Sequence, residues 1–226
     1  MDLQKKESRH SHRGVIGVES AIVMIAFVIV AAALAFVVLN MGFATTQKTK
    51  NAIVSSAEES SSAIEIAGKI IGSGDVAAGK LNATAIPIKV VAGGSSVNLN
   101  PSNAAVRYLS NNIEHGNIYE GAIPAGVYDT MDSAMSQAVT LGYLTGNPIS
   151  GGGPNATAAI VYFNVNRNDN FILDQGEHAI LAIAFKTSER PQSLDTLRAE
   201  LILPTGAPLT IERVVPNISH AVVDLG

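Results

Sequence analysis

The nineteen consecutive apolar residues from Ala21 to Leu39, AIVMIAFVIVAAALAFVVL, constrain this chain more than any other feature. As an α-helix rising about 1.5 Å per residue they cover roughly 28 Å, close to the thickness of a bilayer's hydrocarbon core. Lys5, Lys6, Arg9 and Arg13 precede the run, which keeps the N-terminal end in the cytoplasm and sends residues 40–226 outside. A cleaved secretory signal, a permanent anchor and a temporary membrane segment all start this way. An ordinary signal carries about 7–15 apolar residues with a small-residue cut site at the far end. Here the run is longer and an Arg13-Gly14 junction lies before it.

The residues after the span separate the anchor from the temporary segment. Ile53, Ala57, Ile64, Ala67 and Ile71 keep a helical spacing, broken at Ser60, and Gly72, Ser73, Gly74 and Asp75 supply a stop. The pattern predicts one helix over residues 15–72, roughly 85 Å long, far more than a bilayer needs. An all-round apolar first half with a one-sided second half suits a subunit that bundles with its own copies. A membrane anchor with a short stalk is the simpler alternative.

Residues 1–14 hold four basic and two acidic side chains, so the rest of the chain has 11 basic and 17 acidic residues, a net of −6. A mildly acidic body with 5% aromatic residues lacks the clustered positive charge and stacking surfaces that nucleic acid requires. Cysteine is absent, which rules out disulfides, thiol catalysis and cysteine-held zinc.

The stretch RGVIGVESAIVMIAFVIVAAALAFVVLNMGFATTQKTK resembles the N-terminal region of archaellins, the archaeal flagellins of the type IV pilin-like group. The likeness covers about residues 9–50, and the closing HAVVDLG is similar to a family ending. The resemblance implies a leader peptide, 1–14, removed between Gly14 and Val15 by a dedicated membrane peptidase, with Gly17 at the usual third mature position. It implies a membrane-inserted precursor, an assembly machinery in the membrane, and a hydrophobic helix that becomes the core of an extracellular motility filament.

Glu19 is the sole charge between Arg13 and Lys48. Cleavage would create an α-amino group at Val15, one helical turn away on the same face. By resemblance, such a carboxylate pairs with the amino terminus of a neighbouring subunit. Burying either charge alone in an apolar bundle costs several kcal/mol, by order of magnitude, so pairing or neutralisation is close to obligatory. The other role open to Glu19 is to sit in the headgroup zone and aid recognition by the peptidase. Release from lipid into a bundle exchanges one apolar medium for another, and Ala31, Ala32, Ala33 and Ala35 permit close helix approach. Subunits related by a non-closing rotation then form an open filament.

Beyond residue 80 the pattern changes. TAIPIKVV (84–91), AAIVYFNV (158–165), HAILAIAF (178–185), LRAELIL (197–203) and PLTIERVV (208–215) read as strands between Gly, Pro, Asn and Asp clusters. The alternation of the last two fits a half-buried antiparallel sheet. We expect an α+β chain whose residues 73–226 form an all-β, immunoglobulin-like sandwich or barrel head, with 129–140 a short helix or an irregular excursion. Asn82, Asn155 and Asn217 each open an N-glycosylation sequon, with Asn155 after GGGP the most exposed by composition.

In NRNDNFILDQGE (166–177), Asn166, Asn168, Asn170 and Glu177 stand at positions 1, 3, 5 and 12 of an EF-type loop. Asn166 replaces the usual Asp and Phe171 the turn Gly, so we read a strand-to-strand turn, with Asp169 and Asp174 as further ligands if calcium binds. No cofactor is required, and no nucleophile elbow, zinc helix, P-loop or dinucleotide motif occurs. The expectation is a non-enzymatic filament subunit whose main partner is itself. An adhesive type IV-like pilin is the alternative, and a single-pass anchored extracellular domain the distant one.

Overall fold

The computed structural model describes residues 13–61, 64–111, 113–123, 126–204 and 206–226, the side chains of 13–16 and 57–61 excepted. The chain divides at Ser55/Ser56 into a helical unit and a β-rich head. Helix α1 runs from Arg13 to Ser61, 49 residues or about 73 Å by the standard rise.

The predicted helix over 15–72 is therefore too long, and the head starts before residue 73. Ile64, which fits the helical spacing, opens strand β1 (Ile64–Ile66) and pairs with Val90. The helix runs out in three consecutive serines, 60–62, which are not strong helix formers. The β-branched residues after it gain more from sheet pairing and burial than from another helical turn. Gly72 and Gly74, which read as a helix stop, lie inside strand β2 (Ile71–Asp75). A Cβ at Gly72 would come within 2.8 Å of Leu81 Cδ2, and one at Gly74 within 2.8 Å of the His220 carbonyl. These glycines serve close packing of neighbouring strands.

The remaining strands are β3 (Lys80–Val90), β4 (Val97–Asn98), β5 (Ala105–Ser110), β6 (Ile113–His115), β7 (Tyr119–Ala122), β8 (Ala158–Val165), β9 (Ile172–Leu173), β10 (His178–Ala184), β11 (Thr196–Ile202), β12 (Leu209–Val214) and β13 (Val222–Asp224). The large sheet has the order β13-β2-β3-β10-β8-β7, with β1 also on β3, and the four-stranded sheet the order β12-β11-β5-β6. One hydrophobic core joins them: Ile86, Val161, Phe163 and Leu181 from the first sheet cluster with Val106, Tyr108, Ala199 and Ile211 from the second. The sandwich expectation holds.

It holds with an added layer. Strands β7 and β8 are parallel neighbours, and a parallel pair needs a long crossover. Helix α2 (Met131–Thr140) lies in that connection, so the segment that the sequence allows to be helical or irregular is a helix. Its Ala134, Met135 and Ala138 pack on the outer face of the large sheet against Ala83, Ile160, Tyr162, Ala182 and Ala184. Small residues on β3 and β10 let the helix approach closely. Strands β8 and β10 are thus covered on both faces, which is why their sequences are apolar runs without alternation. The four-stranded sheet is covered on one face, and Leu197, Ala199 and Leu201 point inward while Arg198 is exposed.

Candidate assembly helix and surface loops

The apolar side chains of α1 are exposed. Residues 17–56 contain a window of mean hydropathy 3.3, none of it buried. Phe27 is 75% exposed, Phe43 72% and Met24 69%. At about 25 cal/mol per Å² of apolar surface, such a helix cannot stay in water and must sit in lipid or against other helices. Its polar tail is prepared for the same surroundings. The hydroxyls of Thr46 and Thr49 donate to the carbonyls of Gly42 (2.8 Å) and Thr45 (2.9 Å), so neither needs an outside partner.

Gly14 and Val15 fall in the first residues of α1, and residues 1–12 of the expected leader lie outside the described residues. Gly17 has open space around the position a Cβ would take. Glu19 is exposed one turn after Val15, and the helix has no acidic residue in its first turn.

The three sequons occupy different settings. Asn82 lies in β3, half-buried, and Thr84 is 3% exposed. Asn155 is exposed in a loop, but Thr157 is 6% exposed, and its hydroxyl donates to Glu189 Oε2 at 2.6 Å and accepts from Lys186 N–H at 3.1 Å. Asn217 and Ser219 are both exposed.

Segment 166–177 links β8 to β10 through β9. Side-chain carbonyls of Asn166, Asn168 and Asn170 accept from the backbone N–H of Asp169 (2.9 Å), Asn170 (3.3 Å) and Ile172 (2.7 Å), forming successive Asx turns. Asp169 holds φ at +54°, and Asn168 Nδ2 donates to Asp174 at 2.7 Å. Glu177 is 1% exposed and accepts from Arg167 N–H at 2.8 Å and Asp174 N–H at 3.0 Å. The turn expected from the sequence is present. No group of three or more His, Asp or Glu placed to hold a metal occurs among the described residues.

One cluster has no counterpart in the sequence patterns above. His115 Nε2 on β6 lies 3.0 Å from Glu189 Oε2, and Glu189 follows β10 in the other sheet. With Thr157 and Lys186, whose Nζ is 3.7 Å from Glu189 Oε1, this forms a polar clasp between the sheets. Burial pushes the Glu189 carboxyl up, but hydrogen bonds from Thr157 and His115 and the adjacent positive charge hold it below its ordinary value. Lys186 and Glu189 share one turn, but His115 and Thr157 are distant in sequence, and the four carry no motif.

Known proteins are similar to this chain in sequence and in fold. The archaeal-type flagellin family matches residues 14–213. Probable flagellin 1 of Aeropyrum pernix is 39% identical over 204 residues, 90% of this chain and 92% of that protein. Among solved structures, the archaeal flagellum of Methanospirillum hungatei strain JF1 is similar with a TM-score of 0.61 at 21% identity, over 93% of this chain and 99% of that one. The crystal structure of archaeal flagellin FlaB1 from Methanocaldococcus jannaschii gives 0.58 at 18% identity, over 73% and 96%. At these identities the two structures show a shared fold, over nearly the whole chain in the first case and about three quarters of it in the second. A family match across most of the chain, with a relative 39% identical over nearly its whole length, makes this chain a member of the archaeal-type flagellin family.

Proposed function

We infer that the chain is a structural subunit of the archaeal motility filament that polymerises through α1. The observation that carries this is the exposed apolar surface of α1, a helix with no burial of its own in the single chain. Copies of the same helix satisfy that surface outside the membrane as lipid does inside it. The precursor is inserted with its basic end in the cytoplasm, a membrane peptidase removes residues 1–14, and the assembly machinery transfers the helix into a filament on the cell surface. The start of the family match at residue 14 supports a cut between Gly14 and Val15. Glu19 then pairs with the new amino group of a neighbouring Val15, keeping two charges compensated inside the apolar core.

Mass spectrometry of purified filaments tests the processing step. Chains that begin at Val15 are expected, and filaments built of chains that begin at Met1 overturn it. Deletion of the chain is expected to abolish swimming. Loss of surface attachment with swimming intact would favour the adhesive pilin instead.

The head carries N-linked glycans at its sequons, supported by the exposure of Asn155 and Asn217. A second reading concerns calcium at Asn166, Asn168, Asn170, Asp174 and Glu177. It is favoured by the burial of Glu177 with no basic side chain paired to it among the described residues, since a buried carboxylate gains from a nearby cation. Asp169 is exposed at the loop tip and joins the donor set through its charge. A carbonyl-rich donor set implies weak affinity. A lower melting temperature in chelator than in millimolar calcium supports this reading, and identical melting defeats it.

A further inference from the structure

A sequon is defined by two side chains, the amide that is modified and the hydroxyl two residues on, so the modifying enzyme must reach both. The folded head does not present both in every case. At Asn155 the amide is exposed, but the Thr157 hydroxyl is 6% exposed and held between Glu189 Oε2 (2.6 Å) and Lys186 N–H (3.1 Å). The backbone is pinned as well, because Asn155 N–H donates to Thr145 Oγ1 at 2.7 Å. At Asn82 the sequon lies inside β3, paired on both sides by β2 and β10, with Thr84 3% exposed and Asn82 Oδ1 buried without a partner. Only at Asn217 are both groups on the surface. Ile218 is anchored at 4% exposure between them, so the loop is held in place while Asn217 and Ser219 face solvent. The Ser219 hydroxyl lies 2.9 Å from Nδ1 of the exposed His220 ring.

We propose that folding of the head sorts the three sequons: Asn217 accepts an N-linked glycan on the finished domain, whereas Asn155 and Asn82 accept one only before the two sheets close. This rests on the reading that the head is glycosylated. The chemistry is a displacement at the anomeric carbon of a sugar carried on a lipid phosphate. The Asn Nδ2–carbon bond forms as the carbon–oxygen bond to phosphate breaks, the lipid phosphate leaves, and the amide proton passes to a base of the transferase. For Asn155 the inter-sheet clasp of Glu189, His115 and Lys186 is the lock. The enzyme must wait for it to open, and transfer is slowed by the fraction of time the Thr157 hydroxyl is free.

The test compares the folded full-length chain in detergent with peptides spanning 78–88, 150–161 and 213–223. Each is incubated with membranes that contain an oligosaccharyltransferase and its lipid-linked glycan, and occupancy is read site by site by mass spectrometry. The proposal expects all three peptides to be modified. On the folded chain it expects Asn217 to react as its peptide does, and Asn155 and Asn82 to fall by about tenfold or more. Glu189→Ala frees the Thr157 hydroxyl and is expected to raise transfer at Asn155 on the folded chain without changing Asn82. Should that variant not fold, the wild-type comparison decides alone. Equal reactivity of folded Asn155 and its peptide, or an unreactive folded Asn217 beside a reactive peptide, overturns the proposal. Peptides left unmodified, together with filaments that carry no glycan, defeat the underlying glycan reading instead.

Discussion

Helix α1 and the head handle their apolar residues in opposite ways. In the head, Phe163, Phe185, Leu181 and Ile160 are fully buried between layers built from the same chain. Along α1, Phe27, Phe36 and Phe43 stay exposed. Burial of about 25 cal/mol per Å² drives both regions, but only the head closes that burial internally. The helix presents an apolar surface that copies of itself can cover. Stability of the head is therefore a property of one molecule, and stability of the helix a property of many.

That contrast can be broken or sharpened experimentally. The largest effect is expected from Phe27→Asp, which places an uncompensated charge where its cost is about 3 kcal/mol or more. Electron microscopy should find no filaments while the head's melting transition is unchanged, and a shifted transition would mean that the two regions are not separate. Phe163→Ala should do the reverse, lowering unfolding free energy by about 3–5 kcal/mol in denaturant titrations through a cavity between the sheets. Thr130→Ala removes the N-cap of α2, whose hydroxyl accepts from Ser133 N–H at 3.2 Å, and should cost about 1 kcal/mol. A loss near zero would show that α2 is held by its packing alone.

The smallest effect concerns pH. The Glu189 carboxyl is held below its ordinary value, so the unfolded chain binds its proton more readily than the folded one. The clasp's contribution is complete at neutral pH and is lost as pH falls through the carboxylate range. Being partly open to solvent, it amounts to less than about 1 kcal/mol. Glu189→Gln should flatten the acid limb of the head's stability curve, and an unchanged limb would assign acid sensitivity to other groups.

Legibility in the sequence depends on how local the signal is. Strand β8 occupies the run AAIVYFNV, and the alternation of LRAELIL matches the inward and outward faces of β11. Strand β7 and the short β1, β4, β6, β9 and β13 are not legible, because two to four residues carry no measurable period. The end of α1 misleads for the opposite reason. Ile64 and Ile71 fit a helical period by spacing, but each has a partner strand, at Val90 and at Ala85 and Asp224. The clasp is invisible in the sequence because His115, Thr157 and the Lys186–Glu189 turn come from three distant segments.

By itself the sequence determined that one segment is too apolar to rest in water, that basic residues precede it, and which later segments pair as sheet. Those properties are written in consecutive residues, through hydropathy, flanking charge and side-chain alternation. Only the tertiary structure decided where α1 stops, that β7 and β8 run parallel beneath α2, and which sequon hydroxyls remain at the surface. These depend on which distant strand or side chain arrives as partner, and the free energy of that meeting outweighs the local preference it replaces.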